Sequence, residues 1–132
     1  MLLENITKYC IIVNEKSKAK GGRNVNVDYN EKEKSLVFEI TEEIDHHTTE
    51  IIRRKMDNEI TKYMPRKIVF DFNQVTFMDS AGIGMLIGRY KMVKMLGGSA
   101  ELVHVKPSIK KIFEMCGVLK IIPIRKENTM VG

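Results

Sequence analysis

The chain has 132 residues, 43% hydrophobic and 30% charged, with a formal net charge of +5. That length suits one domain, and the balance of apolar to charged residues excludes an intrinsically disordered chain. The only cysteines are Cys10 and Cys116, with no Cys-x-x-Cys, which excludes a disulfide scaffold and a zinc ribbon and fits a reducing compartment.

The positive charge is unevenly spread. Residues 1–24 hold Lys8, Lys16, Lys18, Lys20 and Arg23 against Glu4 and Glu15, more than half of the whole excess. The remainder is nearly balanced, which argues against a nucleic-acid surface. Residues 1–23 read as a basic leader, with Ser17 to Gly22 as a turn-rich junction and Cys10 to Val13 as a candidate edge strand. A domain then spans residues 24–132. The longest apolar stretch, Gly82 to Gly88, is far short of the roughly 20 residues a membrane helix needs. No secretory pattern opens the chain, and a cytoplasmic protein is expected.

Along the chain, Val25, Val27 and Tyr29 alternate with polar residues, and Leu36, Phe38 and Ile40 do so again beyond Glu31-Lys32-Glu33-Lys34. This predicts a hairpin with one buried face per strand. Asp45 is the expected N-cap of a helix whose inner face is Ile52, Met56, Ile60 and Tyr63, ended by Pro65. Ile68 to Phe72 reads as a central strand covered on both faces. After Val75 to Ser80 comes a second helix, with Ile83, Leu86, Ile87, Tyr90 and Val93 inward and Gly97-Gly98 as its stop. Ala100 to Val105 is a further strand. Pro107 opens a third helix, with Ile109, Ile112, Phe113 and Cys116 on one side and Gly117 at its end. Leu119 to Ile124 reads as a last strand, at an edge because of Pro123. The order ββαβαβαβ predicts a single α/β domain: an N-terminal hairpin, then alternating strands and helices, in a mixed, mostly parallel sheet packed by helices.

The stretch richest in chemical content is Phe77-Met78-Asp79-Ser80-Ala81-Gly82-Ile83-Gly84, where the chain enters the second helix. A helix start has free N–H groups and a positive potential, so Ser80 would stand at an anion-friendly spot. The small residues after it would let another surface approach the backbone. Ser80 has three readings: a plain helix cap, a nucleophile, or a phosphoacceptor and docking residue. The nucleophile elbow Gly-x-Ser-x-Gly fails at Met78, and nothing places a histidine and carboxylate behind the hydroxyl. His46 and His47 are adjacent and diverge on a helix, so they do not chelate one metal from a common face, and no metal site is expected. Arg89 and Lys91 read as a solvated helix face. Met85, off the inward stripe, reads as exposed.

Asp79 to Lys91 resembles the signature of the anti-sigma factor antagonists, which are STAS-domain proteins. Ile44-Asp45-His46-His47-Thr48, Lys94 to Gly98 and Ile109 to Gly117 resemble the same family, and the likeness runs from Val25 to Ile124. The Asp-His-His-Thr loop favours its sporulation branch over its general-stress branch. The resemblance implies a STAS-like fold and a regulatory protein that is not an enzyme and needs no cofactor. It implies phosphorylation at Ser80 by an anti-sigma factor that is also an ATP-dependent serine kinase. It implies that the unphosphorylated form binds that kinase and releases sporulation sigma factor F, and that a serine phosphatase of the pathway reverses the modification. The partner-binding residues carried over are Asp45, His46, Asp79, Ala81, Gly82, Ile83, Gly84 and Met85. No direct contact with nucleic acid or membrane is implied.

The chain departs from the family pattern in places. Thr41-Glu42-Glu43 stands where a glycine is usual, Ala81 replaces a common serine, and the C-terminal helix is reduced to a short tail. Two alternatives of other kinds are weaker. A nucleotide cradle would use Gly82-x-Gly84, but Gly88 comes one residue late for Gly-x-Gly-x-x-Gly. A phospho-aspartate receiver centred on Asp71 lacks its acidic cluster.

Overall fold

The computed structural model describes residues 25–41, 44 and 46–125. Its elements in order are β1 (Val25–Asn30), β2 (Ser35–Ile40), α1 (Thr48–Tyr63), β3 (Lys67–Asp71), α2 (Ser80–Met95), β4 (Ser99–Val103), α3 (Pro107–Cys116) and a 3-10 turn (Val118–Lys120). The leader, Asp45 and the last seven residues lie outside the described residues.

The four strands lie side by side in chain order. β1 and β2 form the expected antiparallel hairpin, with Val25 opposite Ile40 and Val27 opposite Phe38. β2, β3 and β4 run parallel, with Phe38, Phe70 and Leu102 in one row. Each parallel step therefore crosses over through a helix, and right-handed crossovers between neighbours in a monotonic order place those helices on one face. The register shows which face. Leu36, Phe38, Ile40, Ile68, Phe70, Ala100 and Leu102 join one buried cluster with Ile52, Met56 and Ile60 of α1, Ile83, Leu86 and Val93 of α2, and Ile109 and Phe113 of α3. Burying an aliphatic or aromatic side chain is worth about 1.5–3 kcal/mol, so this single cluster dominates the fold. Two ring contacts anchor helices to the sheet: Tyr29 on Tyr63, with centroids 4.1 Å apart, and Phe72 on Phe113, at 5.4 Å.

Five expectations are corrected. Among the described residues, the helices that cover β3 lie on one face of it. Its second face carries Lys67, Val69 and Asp71, and Val69, though buried, stands outside the core cluster. α1 begins at Thr48, so its N-cap position falls on His47, two residues later than expected, with no side-chain cap hydrogen bond there. Cys116 is exposed and not on the inner side of α3. β4 stops at Val103, with His104 in a left-handed conformation just beyond it.

The fifth is the last strand. Gly117, at φ 77°, ends α3 in the left-handed region where glycine carries no penalty. The chain then coils into the 3-10 turn, burying Val118 and Ile122, and only Ile124 bridges to Leu102. A short apolar run fits a buried turn as well as a strand, and periodicity does not separate them.

Candidate functional site

α2 starts where the chain returns from β3. Ile44 and Met78 pair in a parallel β-bridge. The Ile44 amide donates to the Phe77 carbonyl at 3.3 Å, and the Asp79 amide donates to the Ile44 carbonyl at 3.3 Å. Both bridge residues are buried. The bridge ties the approach to α1 directly to the approach to α2. His46 and Ser80 each lie two residues beyond it, which brings the turn at His46 and His47 and the Ser80 helix start to one end of the molecule.

Asp79, with extended backbone, caps α2. Its carboxylate Oδ1 accepts from the amides of Ala81 at 3.0 Å and Gly82 at 3.4 Å, and its carbonyl accepts from Gly82 and Ile83. The anion-friendly spot is thus filled by the chain's own carboxylate. Ser80 is not the cap: it is the first helical residue, and its side chain is exposed.

Gly82 is needed for close approach. A Cβ there would lie 2.6 Å from Ile44 Cγ2 and 2.6 Å from Met78 Cγ, too near for either to stay. At Gly84 a Cβ would meet nothing within 4 Å.

The residues foreseen as a partner surface divide accordingly. Ser80, Gly84 and His46 are exposed, and Asp79 and Ala81 are half-buried. Gly82, Ile83 and Met85 are buried, so they shape the surface from beneath. Met85, expected to be exposed, keeps only 4% of its surface. The helix has a second inward face, toward α1, on which Met85 and Arg89 lie four residues apart.

Arg89 is the other correction. It is only 7% exposed and sits against Asp57 of α1. Its Nε lies 2.7 Å from Asp57 Oδ1, at an angle that makes the contact ionic and not an aligned hydrogen bond. Burial pushes the guanidinium pKa below its ordinary value, Asp57 opposes that shift, and Arg53 adds to it.

Sequence reasoning also passed over Phe77, which is 47% exposed three residues before Ser80, its backbone held by the bridge. Among the described residues no group of three or more His, Cys, Asp and Glu side chains could hold a metal ion, and no helix is long and apolar enough to cross a membrane.

With this geometry in hand, comparison places the chain. Residues 26–128 match the family model of the STAS domain. The chain belongs to the STAS-domain family. It is 33% identical over 101 residues to the anti-sigma F factor antagonist of Paenibacillus polymyxa, covering 76% of this chain and 86% of that protein. It is 32% identical over 105 residues to the anti-sigma-B factor antagonist of Bacillus subtilis (strain 168), covering 80% and 94%. Among solved structures it superposes on the anti-sigma factor antagonist SpoIIAA in its unphosphorylated form with a TM-score of 0.67 at 25% identity, covering 81% of this chain and 92% of that one. On the phosphorylated form of SpoIIAA from Bacillus the TM-score is 0.60 at 25% identity, covering 81% and 96%. Within the family, then, the chain is an anti-sigma factor antagonist of the SpoIIAA type.

Proposed function

We propose that this chain is a phosphorylation-controlled partner switch of the sporulation branch. Unphosphorylated, it binds an anti-sigma factor that is also an ATP-dependent serine kinase, and so frees sporulation sigma factor F. Phosphorylation of Ser80 by that kinase ends the binding, and a serine phosphatase restores it. The protein works in the cytoplasm as a regulator and a kinase substrate, without catalysis of its own. Its contact surface is Ser80, Gly84, Phe77 and His46 at the outside, Asp79 and Ala81 at its margin, and Gly82, Ile83 and Met85 as its support. Asp45 belongs to the same loop by resemblance.

The observation that carries this reading is the division of labour at the start of α2. Asp79 closes the helix, so the exposed Ser80 hydroxyl has no capping task and is free for modification. Intact mass after incubation with the cognate anti-sigma kinase and Mg-ATP tests it, with Ser80→Ala alongside. A gain of about 80 Da, one phosphoryl group, in the wild type alone is the expected result. No gain with a kinase active on its own cognate antagonist would overturn it.

A further inference from the structure

The sequence of α2 says little about which way the helix should face. From Ala81 to Gly88 every residue is apolar or glycine, so burial rewards many rotations nearly equally. Site-specific contacts must choose among them. One set lies at the helix start, in the Ile44–Met78 bridge and the Asp79 cap. A single anchored end fixes a position and leaves the axis free to swing and turn about it.

The second site-specific contact is the buried ion pair of Arg89, two and a half turns further on at about 3.6 residues per turn. Its Nε meets Asp57 Oδ1 at 2.7 Å, and its Nη1 donates to the Met85 carbonyl at 3.2 Å. Asp57 is held from its other side, since Arg53 Nη1 lies 3.4 Å from Oδ2. Arg53 Nη2 in turn reaches Glu50 Oε2 at 2.8 Å, in the first turn of α1. A line of alternating charge therefore runs from the start of α1 to the middle of α2.

Buried ion pairs are poor sources of stability, because desolvation cancels much of the attraction. An apolar pair of similar volume often serves stability equally well or better. Such a pair does not distinguish one register from its neighbours, whereas a buried guanidinium that must reach the Asp57 carboxylate and the Met85 carbonyl at once does.

We propose that Arg89 is a positioning residue: its buried pairing with Asp57 sets the rotation and axial register of α2 on α1, and so presents Ser80 outward beside the His46 turn. This rests on the reading of Ser80 as the phosphoacceptor. The test compares wild type, Arg89→Lys, and the double variant Arg89→Met/Asp57→Leu by two readouts. One is kcat/KM for phosphorylation of Ser80 by the cognate kinase. The other is the amide NMR spectrum of the free protein over Ser80 to Gly84.

The double variant should melt at or above the wild-type temperature, while its kcat/KM falls about tenfold through misplacement of the hydroxyl. Its Ser80 to Gly84 amides should broaden or double. Arg89→Lys, which keeps the charge and loses the planar group that reaches Asp57 and the Met85 carbonyl together, should fall between, and it carries both readouts if the double variant does not fold. Unchanged kcat/KM with one sharp set of amide signals in the folded variants would overturn the proposal. If the wild type itself is not phosphorylated, the switch reading fails, and the amide spectra still decide the register.

Discussion

Two glycines two residues apart on α2 have opposite duties. Gly82 lies against Ile44 and Met78 so closely that a methyl group would displace buried side chains, and overpacking of that kind costs about 1–3 kcal/mol. The gain in helix propensity from glycine to alanine, about 1 kcal/mol, offsets only part of it. Gly82→Ala should therefore destabilise by up to about 2 kcal/mol. Gly84 faces open space, so Gly84→Ala should stabilise by about 0.5–1 kcal/mol. Urea unfolding of the two variants checks the sign directly, and equal effects would mean that Gly82 is not packed as described. The same pair shows what the sequence disclosed. The spacing Asp79-Ser80-Ala81-Gly82-x-Gly84 marks a close-contact helix start, and the structure puts it there. That Asp79 is the cap, leaving Ser80 uncommitted, was not legible, because aspartate and serine are equally good at that position. Only the backbone angles decide between them.

At the scale of elements, the helices were legible from apolar spacing and the hairpin from alternation, since each has one dominant buried face. α2 was half-legible. Its stripe of Ile83, Leu86 and Val93 points at the sheet as expected, but a helix wedged between a sheet and a neighbouring helix has two inward faces. The second, Met85 and Arg89, is hidden in a run that is apolar all round. The final strand failed for the reverse reason: its apolar content was right and its shape was not. The link between elements that matters most is the smallest, the single bridge between Ile44 and Met78. It closes two amide hydrogen bonds between segments more than thirty residues apart. If it holds the two loops together in the free protein, the amides of Ile44 and Asp79 should exchange with solvent markedly more slowly than that of exposed Thr76. Hydrogen exchange followed by NMR measures this. Equal rates would mean that the bridge opens freely, and that the His46 turn is not fixed relative to Ser80.

For the whole molecule the question is whether a phosphate on Ser80 alters the fold or only what the fold can bind. A phosphoserine brings roughly −1.5 to −2 charges at neutral pH. At a helix N-terminus an anion gains about 0.3–1 kcal/mol from the dipole. Here the amides of Ala81 and Gly82 already donate to the Asp79 carboxylate, so a phosphate either displaces that carboxylate or stands beside it in solvent. Both routes leave little net gain, and Asp79 repels the newcomer. The fold should register a change of a few degrees at most, since ~1 kcal/mol moves the melting point of a domain near this size by about 4–8 °C. A partner surface is far more sensitive. Closing on Ser80, it would have to strip water from an unpaired dianion or meet it with a matched cation, and a mismatch costs several kcal/mol. A loss of at least about 100-fold in affinity, equivalent to ~2.8 kcal/mol, follows. Thermal melts and titration calorimetry of the two forms against the anti-sigma partner separate the effects. A large shift in melting temperature with unchanged affinity would place the switch inside the fold, and the small shift expected with lost affinity places it at the surface that α2 presents.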